Sequence, residues 1–149
     1  MIKLQKAQAN DLAFLERIHQ QTIASVWSRE DFLNALDKDD KIVSLIIEQG
    51  SPVGYIMVDV LPPEAELINI AIGPENQSRG IGSKAMKILM NNLREKKIES
   101  IFLEVRATSK AVDFYKSNGF EVIGVRKKYY PDGENALRMR LCITYSKIA

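Results

Sequence analysis

Two glycines separated by one residue stand where a strand-like segment gives way to a helix-like segment. The chain reads LINIAIGPENQSRGIGSKA over 67–85, so Gly80 and Gly82 lie at the predicted start of a helix. A helix N-terminus leaves backbone N–H groups without partners and carries about half a unit of positive charge. Glycines there let an anion approach the backbone closely, which favours a phosphate or pyrophosphate ligand. The alternative is that both glycines only permit a tight turn.

A carboxylate in an apolar strand could take up a proton. In SIFLEV, residues 100–105, Glu104 lies on the face opposite Ile101, Leu103 and Val105. It is therefore either paired with Arg106 on its own face or kept for chemistry. A partly desolvated carboxylate binds a proton more tightly than an exposed one, which suits a general base near neutrality.

A phenol follows on the next predicted helix, at Tyr115. A tyrosine with an ordinary pKa of ~10 keeps its proton at neutral pH and could donate it to a leaving group. The alternative is an aromatic side chain that serves packing, with its hydroxyl near water.

The elements that must position these residues follow from periodicity and capping signals. Strands are predicted at 2–8, 41–48, 52–60, 64–72, 100–105, 120–126 and 136–143, and helices from Asn10, from Ser28, over 80–96 and over 109–117. Strands that follow one another come first, and a β-α-β-α unit comes after them. This order predicts one domain over 1–149 of the α/β (α+β) class, with a largely antiparallel sheet and a parallel step near its middle.

Composition excludes several classes of function. The 149 residues carry a net charge of +2, too small to indicate nucleic-acid binding. A single cysteine, Cys142, and a single histidine, His19, exclude an internal disulfide framework and leave few ligands for a metal site. No apolar run approaches the ~20 residues that span a bilayer. We therefore expect a cytoplasmic protein without a metal.

Three phosphate-binding patterns can be compared with the glycine stretch. The P-loop pattern is absent. The dinucleotide pattern fits as Gly80-x-Gly82-x-x-Ala85 with Glu104 further on, but residues 73–79 separate it from its strand. An NAD-dependent oxidoreductase is therefore a remote alternative. The third pattern is Gln-x-x-Gly-x-Gly, which begins at Gln77.

With this third pattern, the chain resembles the GNAT acyl-CoA transferases, and more closely the RimI-type N-terminal alanine acetyltransferases of ribosomal proteins. The resemblance extends over nearly the whole chain. Its further segments are WSREDF (27–32), EAELINIAI (64–72), LEVRA (103–107), FYKSNGF (114–120) and RKKYYPDGENALRM (126–139). It implies a mostly antiparallel seven-stranded sheet with about four helices and a central, splayed pair of parallel strands.

The resemblance also implies acetyl-CoA as co-substrate and a set of residues that bind it. The pyrophosphate is assigned to Gln77, Ser78, Arg79, Gly80, Ile81, Gly82 and Ser83, and the pantetheine arm to the backbone of Ile70, Ala71 and Ile72. The Arg79 side chain either adds charge to a phosphate or is simply exposed.

In the same family, the glutamate that matches Glu104 is the proposed base, directly or through water, and Tyr115 matches the general acid. Trp27, Tyr129 and Tyr130 match walls of a peptide groove. Two departures stand out. Thr108-Ser109 occupies the place of a family asparagine near the coenzyme, and Leu137 replaces an acidic residue of the final motif.

The acceptor amine is left open by these residues. An α-amine with a pKa near ~8 is neutral far more often at pH 7 than a lysine with a pKa near ~10.4, which favours a protein N-terminus. A ribosomal protein is one such acceptor. A lysine, polyamine or aminoglycoside is the alternative, and an acyl-CoA sensor without turnover is another. We expect a monomer or a homodimer.

Overall fold

The structure is a computed structural model that describes residues 1–23 and 27–143. This part of the chain forms seven strands and four α-helices, in the predicted order. The strands are β1 (Ile2–Lys6), β2 (Lys41–Glu48), β3 (Ser51–Leu61), β4 (Glu64–Ile72), β5 (Ser100–Arg106), β6 (Glu121–Arg126) and β7 (Ala136–Cys142). The helices are α1 (Leu12–Thr22), α2 (Arg29–Leu36), α3 (Ile81–Glu95) and α4 (Ala111–Ser117).

All seven strands form one sheet in the order β1-β2-β3-β4-β5-β7-β6. Every neighbouring pair is antiparallel except β4 and β5, which are parallel. The predicted mixed sheet with a parallel step near its middle is therefore confirmed.

The parallel pair separates soon after it begins. Only residues 64–66 of β4 pair with residues 100–102 of β5, although both strands continue for several residues. Strand β4 also carries a β-bulge, because Met57 of β3 lies opposite Asn69 whereas the next residue, Val58, lies opposite Leu67. Ile68 is thus an extra residue, and the bulge lies where β4 leaves β5. Bulges bend a strand and leave part of its backbone without a partner, so the sheet opens here into a cleft.

The two faces of the sheet bury separate cores. Helix α3 and helix α4 cover one face, on which Ile101 and Leu103 of β5 are buried. Helices α1 and α2 cover the other face around Tyr55 and Phe32. The alternation predicted for β5 is confirmed, so its even-numbered residues, including Glu104, lie on the face of α1 and α2.

Two predictions about helix starts have different outcomes. Ser28 caps α2 as predicted, because its Oγ accepts a hydrogen bond from the Asp31 N–H at 3.1 Å and its own N–H donates to the Asp31 carboxylate at 2.8 Å. Asn10 was the wrong N-cap for α1. A short 3₁₀ turn over Ala9–Asp11 comes first, so α1 begins at Leu12.

None of the helices within the described residues is both long enough and apolar enough to cross a bilayer.

Candidate active site

The loop between β4 and α3 borders a cleft of about 480 Å³, within the size range of small-molecule sites. The cleft lies on the side of the sheet that α3 and α4 cover. Its lining residues are Ile70, Ile72, Asn76, Gln77, Ser78, Gly80, Ile81, Gly82, Ser83, Lys110, Ala111, Phe114 and Tyr115. The structure thus brings the predicted loop, two of the predicted strand residues and Tyr115 together. Ala71 is buried with the opposite core, so only its backbone belongs to this region.

The loop is shaped by two residues in the left-handed backbone conformation, Ser78 with φ of 64° and Gly80 with φ of 78°. Such positions are typical of the backbone concavities that bind anions. Gly80 is the N-cap of α3, and its carbonyl accepts the first helical hydrogen bond from Lys84 N at 3.1 Å. No atom lies within 4 Å of the position a Gly80 Cβ would take, so this side of the loop is open. A diphosphate therefore fits against the backbone at the start of α3.

Gly82 has a packing reason to lack a side chain. A Cβ on Gly82 would lie 3.1 Å from two atoms of the Phe114 ring, which is closer than ordinary contact. Helix α4 therefore approaches the first turn of α3 closely. Asn118 adds a polar contact between the two helices, because its Nδ2 donates to Ser83 Oγ at 3.3 Å.

Two loop side chains hold the loop against the sheet. Gln77 Nε2 donates to the Ile72 carbonyl at 2.9 Å. The Arg79 guanidinium binds both carboxylate oxygens of Glu48, at 2.9 and 3.1 Å, and also Asn76 Oδ1 at 3.1 Å. In this structure Arg79 therefore connects the loop to β2 and does not line the cleft.

Tyr115 lies in the wall of the cleft between two aromatic neighbours. Its ring meets Phe114 and Phe120 edge to face, with centroids 5.4 and 5.7 Å apart. Burial raises the pKa of Tyr115 to about 12, because removal from water disfavours the phenolate. The hydroxyl therefore keeps its proton throughout the physiological range.

Glu104 lies across the sheet from Tyr115. Its side chain is 19% exposed, and its Oε2 lies 2.7 Å from Arg126 Nε. The alternative that Glu104 pairs with Arg106 is wrong, because Arg106 binds Asp132 at 2.8 Å and Glu134 at 3.2 Å. Since β4 and β5 diverge, the gap between them is the place where groups on the two faces of the sheet come within reach of one molecule.

The predicted acceptor residues lie on the same face as Glu104. Tyr129 is half exposed, and its ring meets Tyr130 edge to face at 5.1 Å. The guanidinium of Arg126 lies 5.7 Å from the Tyr129 ring centroid, and that of Arg106 lies 4.1 Å from that of Tyr130.

Trp27 packs against Phe32, with ring centroids 5.1 Å apart. Residues 24–26, which come just before Trp27, lie outside the described part of the chain.

Thr108 and Ser109 do not line the cleft. The Thr108 hydroxyl and N–H both contact the Glu134 carboxylate, the latter at 3.2 Å, and Ser109 Oγ accepts from Ala111 N at 3.1 Å. Lys110, Ala111 and Phe114 line it instead, and the sequence reasoning missed them. Ala111 stands one helical turn before Tyr115, a spacing that could have indicated it.

The comparisons with known proteins agree with this geometry. The model of the acetyltransferase (GNAT) family matches residues 8–120. The chain is 31% identical to the [ribosomal protein bS18]-alanine N-acetyltransferase of Escherichia coli K12, over 97% of this chain and 99% of that protein. The crystal structure of the ribosomal-protein-S18-alanine N-acetyltransferase from Escherichia coli has a TM-score of 0.86 at 30% identity, covering 96% and 94% of the two chains. The fold is also similar to that of the PaiA N-acetyltransferase from Thermoplasma acidophilum in complex with coenzyme A, with a TM-score of 0.78 at 20% identity and coverage of 95% and 99%.

Proposed function

The chain belongs to the acetyltransferase (GNAT) family and is a RimI-like N-acetyltransferase, and from this premise we propose that it acetylates the α-amine of a protein N-terminus with acetyl-CoA. The observation that carries the proposal is the short parallel pairing of β4 and β5. It leaves a gap with the glycine loop at one end, Tyr115 on one face and Glu104 on the other. We further propose that residues 1–149 act as one catalytic domain.

The cleft fits acetyl-CoA by the chemistry of its lining. The loop from Gln77 to Ser83 offers backbone N–H groups and an open glycine for the diphosphate. Ile70 and Ile72 supply an apolar wall and strand backbone for the pantetheine arm. Lys110 places a cationic side chain in the same lining. The structure of the PaiA N-acetyltransferase, which contains coenzyme A, supports this ligand for the shared fold. Bound there, acetyl-CoA would supply the activated acetyl group as a thioester.

Glu104 acts as the general base in the proposed mechanism. As the amine nitrogen forms its bond to the acetyl carbon, Glu104 accepts the proton that this nitrogen loses, directly or through one water. A base must lie within about 3 Å of that proton, or within reach through a water, and the gap between the strands gives such access.

Tyr115 acts on the leaving thiolate when the carbon–sulfur bond breaks. With a pKa of about 12, its hydroxyl is a weaker acid than a thiol of ordinary pKa ~8.5. Tyr115 therefore first donates a hydrogen bond to the sulfur and then transfers its proton to the thiolate. Solvent restores the proton of Tyr115.

The choice of an N-terminal acceptor rests on the relatives and on amine basicity. The E. coli relative is named a [ribosomal protein bS18]-alanine N-acetyltransferase. An α-amine, with a pKa near ~8, needs less help from a carboxylate base than a lysine does. Leu137 stands where the family resemblance has an acidic residue, so the acceptor sequence has to be measured.

The test is an acetylation assay on short peptides that begin with alanine, including the bS18 N-terminus. Each peptide is offered with a free and with a formylated α-amine, and each contains one internal lysine. We expect acetyl transfer to the free α-amine only, located by mass spectrometry. Acetylation of the lysine in both versions would contradict the proposal, as would acetylation of spermidine with neither peptide acetylated.

A further inference from the structure

The Glu104 carboxylate has an ion-pair partner that comes from two strands away. In the sheet order β5-β7-β6, Glu104 lies on β5, Arg138 lies directly opposite it on β7, and Gly124 lies opposite Arg138 on β6. Arg126 stands two residues beyond Gly124, on the same face of the sheet. Arg138 does not take the position beside Glu104, because its guanidinium binds Glu66 at 2.7 Å. Arg126 thus reaches Glu104 diagonally over β7, between the positions of Ala136 and Arg138.

This ion pair is close but is not a well-formed hydrogen bond. Arg126 Nε lies 2.7 Å from Glu104 Oε2, yet its N–H is not directed at that oxygen. Oε2 is shielded from solvent and accepts no hydrogen bond from any described residue. A buried acceptor left in this state is unfavourable, and such groups in native proteins commonly have a functional reason. The Arg126 side chain itself is 56% exposed, so little holds it in place on its outer side.

We propose that Arg126 is a displaceable counter-ion that covers Glu104 in the free enzyme and gives way to the α-ammonium group of the acceptor. This inference rests on the proposed function, because the group that binds the acceptor's ammonium is Glu104, the proposed base. An ammonium group is compact and carries three donors, so it can direct an N–H at Oε2 where the guanidinium does not. Once the ammonium group has replaced Arg126, it loses one proton through this carboxylate to solvent, so that Glu104 is again an anion when the nitrogen attacks and loses its second proton.

The neighbouring loop offers the displaced Arg126 side chain a second contact. The Arg126 guanidinium already lies 5.7 Å from the Tyr129 ring centroid, and Tyr129 is half exposed. A cation is attracted to the face of an aromatic ring, also at an exposed site. Arg126 therefore exchanges one partial partner for another when the acceptor arrives.

The test compares Arg126→Ala and Arg126→Lys with the wild type, using a peptide with a free N-terminal alanine. An exposed ion pair of typical strength corresponds to about a two- to five-fold effect on an equilibrium. We therefore expect Arg126→Ala to lower the KM of the peptide by about two- to five-fold, with kcat and the KM of acetyl-CoA unchanged. Arg126→Lys keeps a cation at this position and should remain near the wild type.

A binding measurement separates this effect from turnover. With saturating coenzyme A, which cannot react, calorimetric titration should show tighter peptide binding to Arg126→Ala than to the wild type. Arg140→Ala removes another exposed cation from the same face of the sheet and should change neither quantity.

Two outcomes would overturn the inference while the proposed function stands. The first is a peptide affinity and KM that do not change in Arg126→Ala. The second is a large loss of kcat that added guanidinium restores, which would make Arg126 a residue that orients Glu104. Failure of the wild type to acetylate any peptide α-amine would instead contradict the proposed function itself.

Discussion

At the scale of single residues, the two proposed proton-transfer groups have opposite environments. Glu104 pairs with the Arg126 guanidinium, and Arg138, which lies opposite Glu104 on β7, binds Glu66 instead. Tyr115 lies in an aromatic wall, and burial raises its pKa. Burial keeps the Tyr115 phenol neutral, as the proposed acid requires.

Glu104→Gln should lower kcat/KM for the peptide by at least a hundred-fold near pH 7, because a general base typically contributes factors of 10² to 10⁴. The amide has nearly the same shape, so the affinity for coenzyme A should remain that of the wild type. Steady-state kinetics and calorimetry measure the two quantities. Glu121→Gln, which neutralises an exposed carboxylate on β6, is the matched control. Undiminished turnover in Glu104→Gln would remove this residue as the base.

Tyr115→Phe should change the pH dependence of stability. Because the folded-state pKa of about 12 exceeds the ordinary value of 10.0, the wild type holds its phenolic proton more tightly when folded. The contribution of Tyr115 to the free energy of unfolding is therefore fully present below pH 10 and is lost as the pH rises from 10 to 12. The phenylalanine variant should lose less stability over this interval in urea titrations. Equal losses in both proteins would mean that Tyr115 is not the buried phenol described above.

At the scale of elements, one loop connects the strand and the helix that form the cleft. Gln77 fixes the loop to the end of β4, and the Arg79–Glu48 pair fixes it to β2. Helix α4 then closes the first turn of α3 from the other side through Phe114. The loop is thus held in its shape without a ligand, which lowers the entropic cost of binding one.

Gly82→Asp should weaken coenzyme A binding by at least ten-fold, because the new side chain meets the Phe114 ring and places a negative charge near the diphosphate. Calorimetric titration with coenzyme A measures this. Asn92→Asp adds the same charge at an exposed position near the far end of α3 and should bind normally. Circular dichroism confirms that both variants are folded. Wild-type affinity in folded Gly82→Asp would place the diphosphate elsewhere.

At the scale of the whole molecule, the two faces of the sheet divide the work. The face under α3 and α4 carries the cleft for the coenzyme, and the face under α1 and α2 carries Glu104 and the aromatic loop. The two cores are separated by the sheet, so under the proposed function the two substrates approach from opposite sides and meet where the sheet is open.

Acetyl-CoA should raise the melting temperature, because a ligand that binds only the folded protein stabilises it by mass action. At a hundred times its Kd, the gain is about 2.7 kcal/mol in the free energy of unfolding. NAD(H) at the same concentration should give no shift, since the dinucleotide pattern is interrupted by residues 73–79. Differential scanning calorimetry with each ligand decides between them, and a shift with NAD(H) alone would support the oxidoreductase alternative.

Local patterns in the sequence predict the elements and their faces well. The alternation in β5 identifies the face of Glu104, and Ser28 with Asp31 marks the start of α2. Long-range pairing is different. The partner of Glu104 depends on the register of β6 against β7, which itself contains a bulge between Val122 and Gly124, and no local pattern contains that information. Arg106 is the nearer cation in sequence, but the loop carboxylates compete for it successfully.

The extra residue in β4 reverses the direction of every side chain that follows it. Before Ile68, Leu67 is buried with α3, and after it Ala71 is buried with α1 and α2 while Ile70 and Ile72 turn to the coenzyme side. A β4 of the same sequence without the bulge would turn Ile70 and Ile72 inward under α1, and an intact glycine loop would then have no apolar wall beside it for the proposed pantetheine arm.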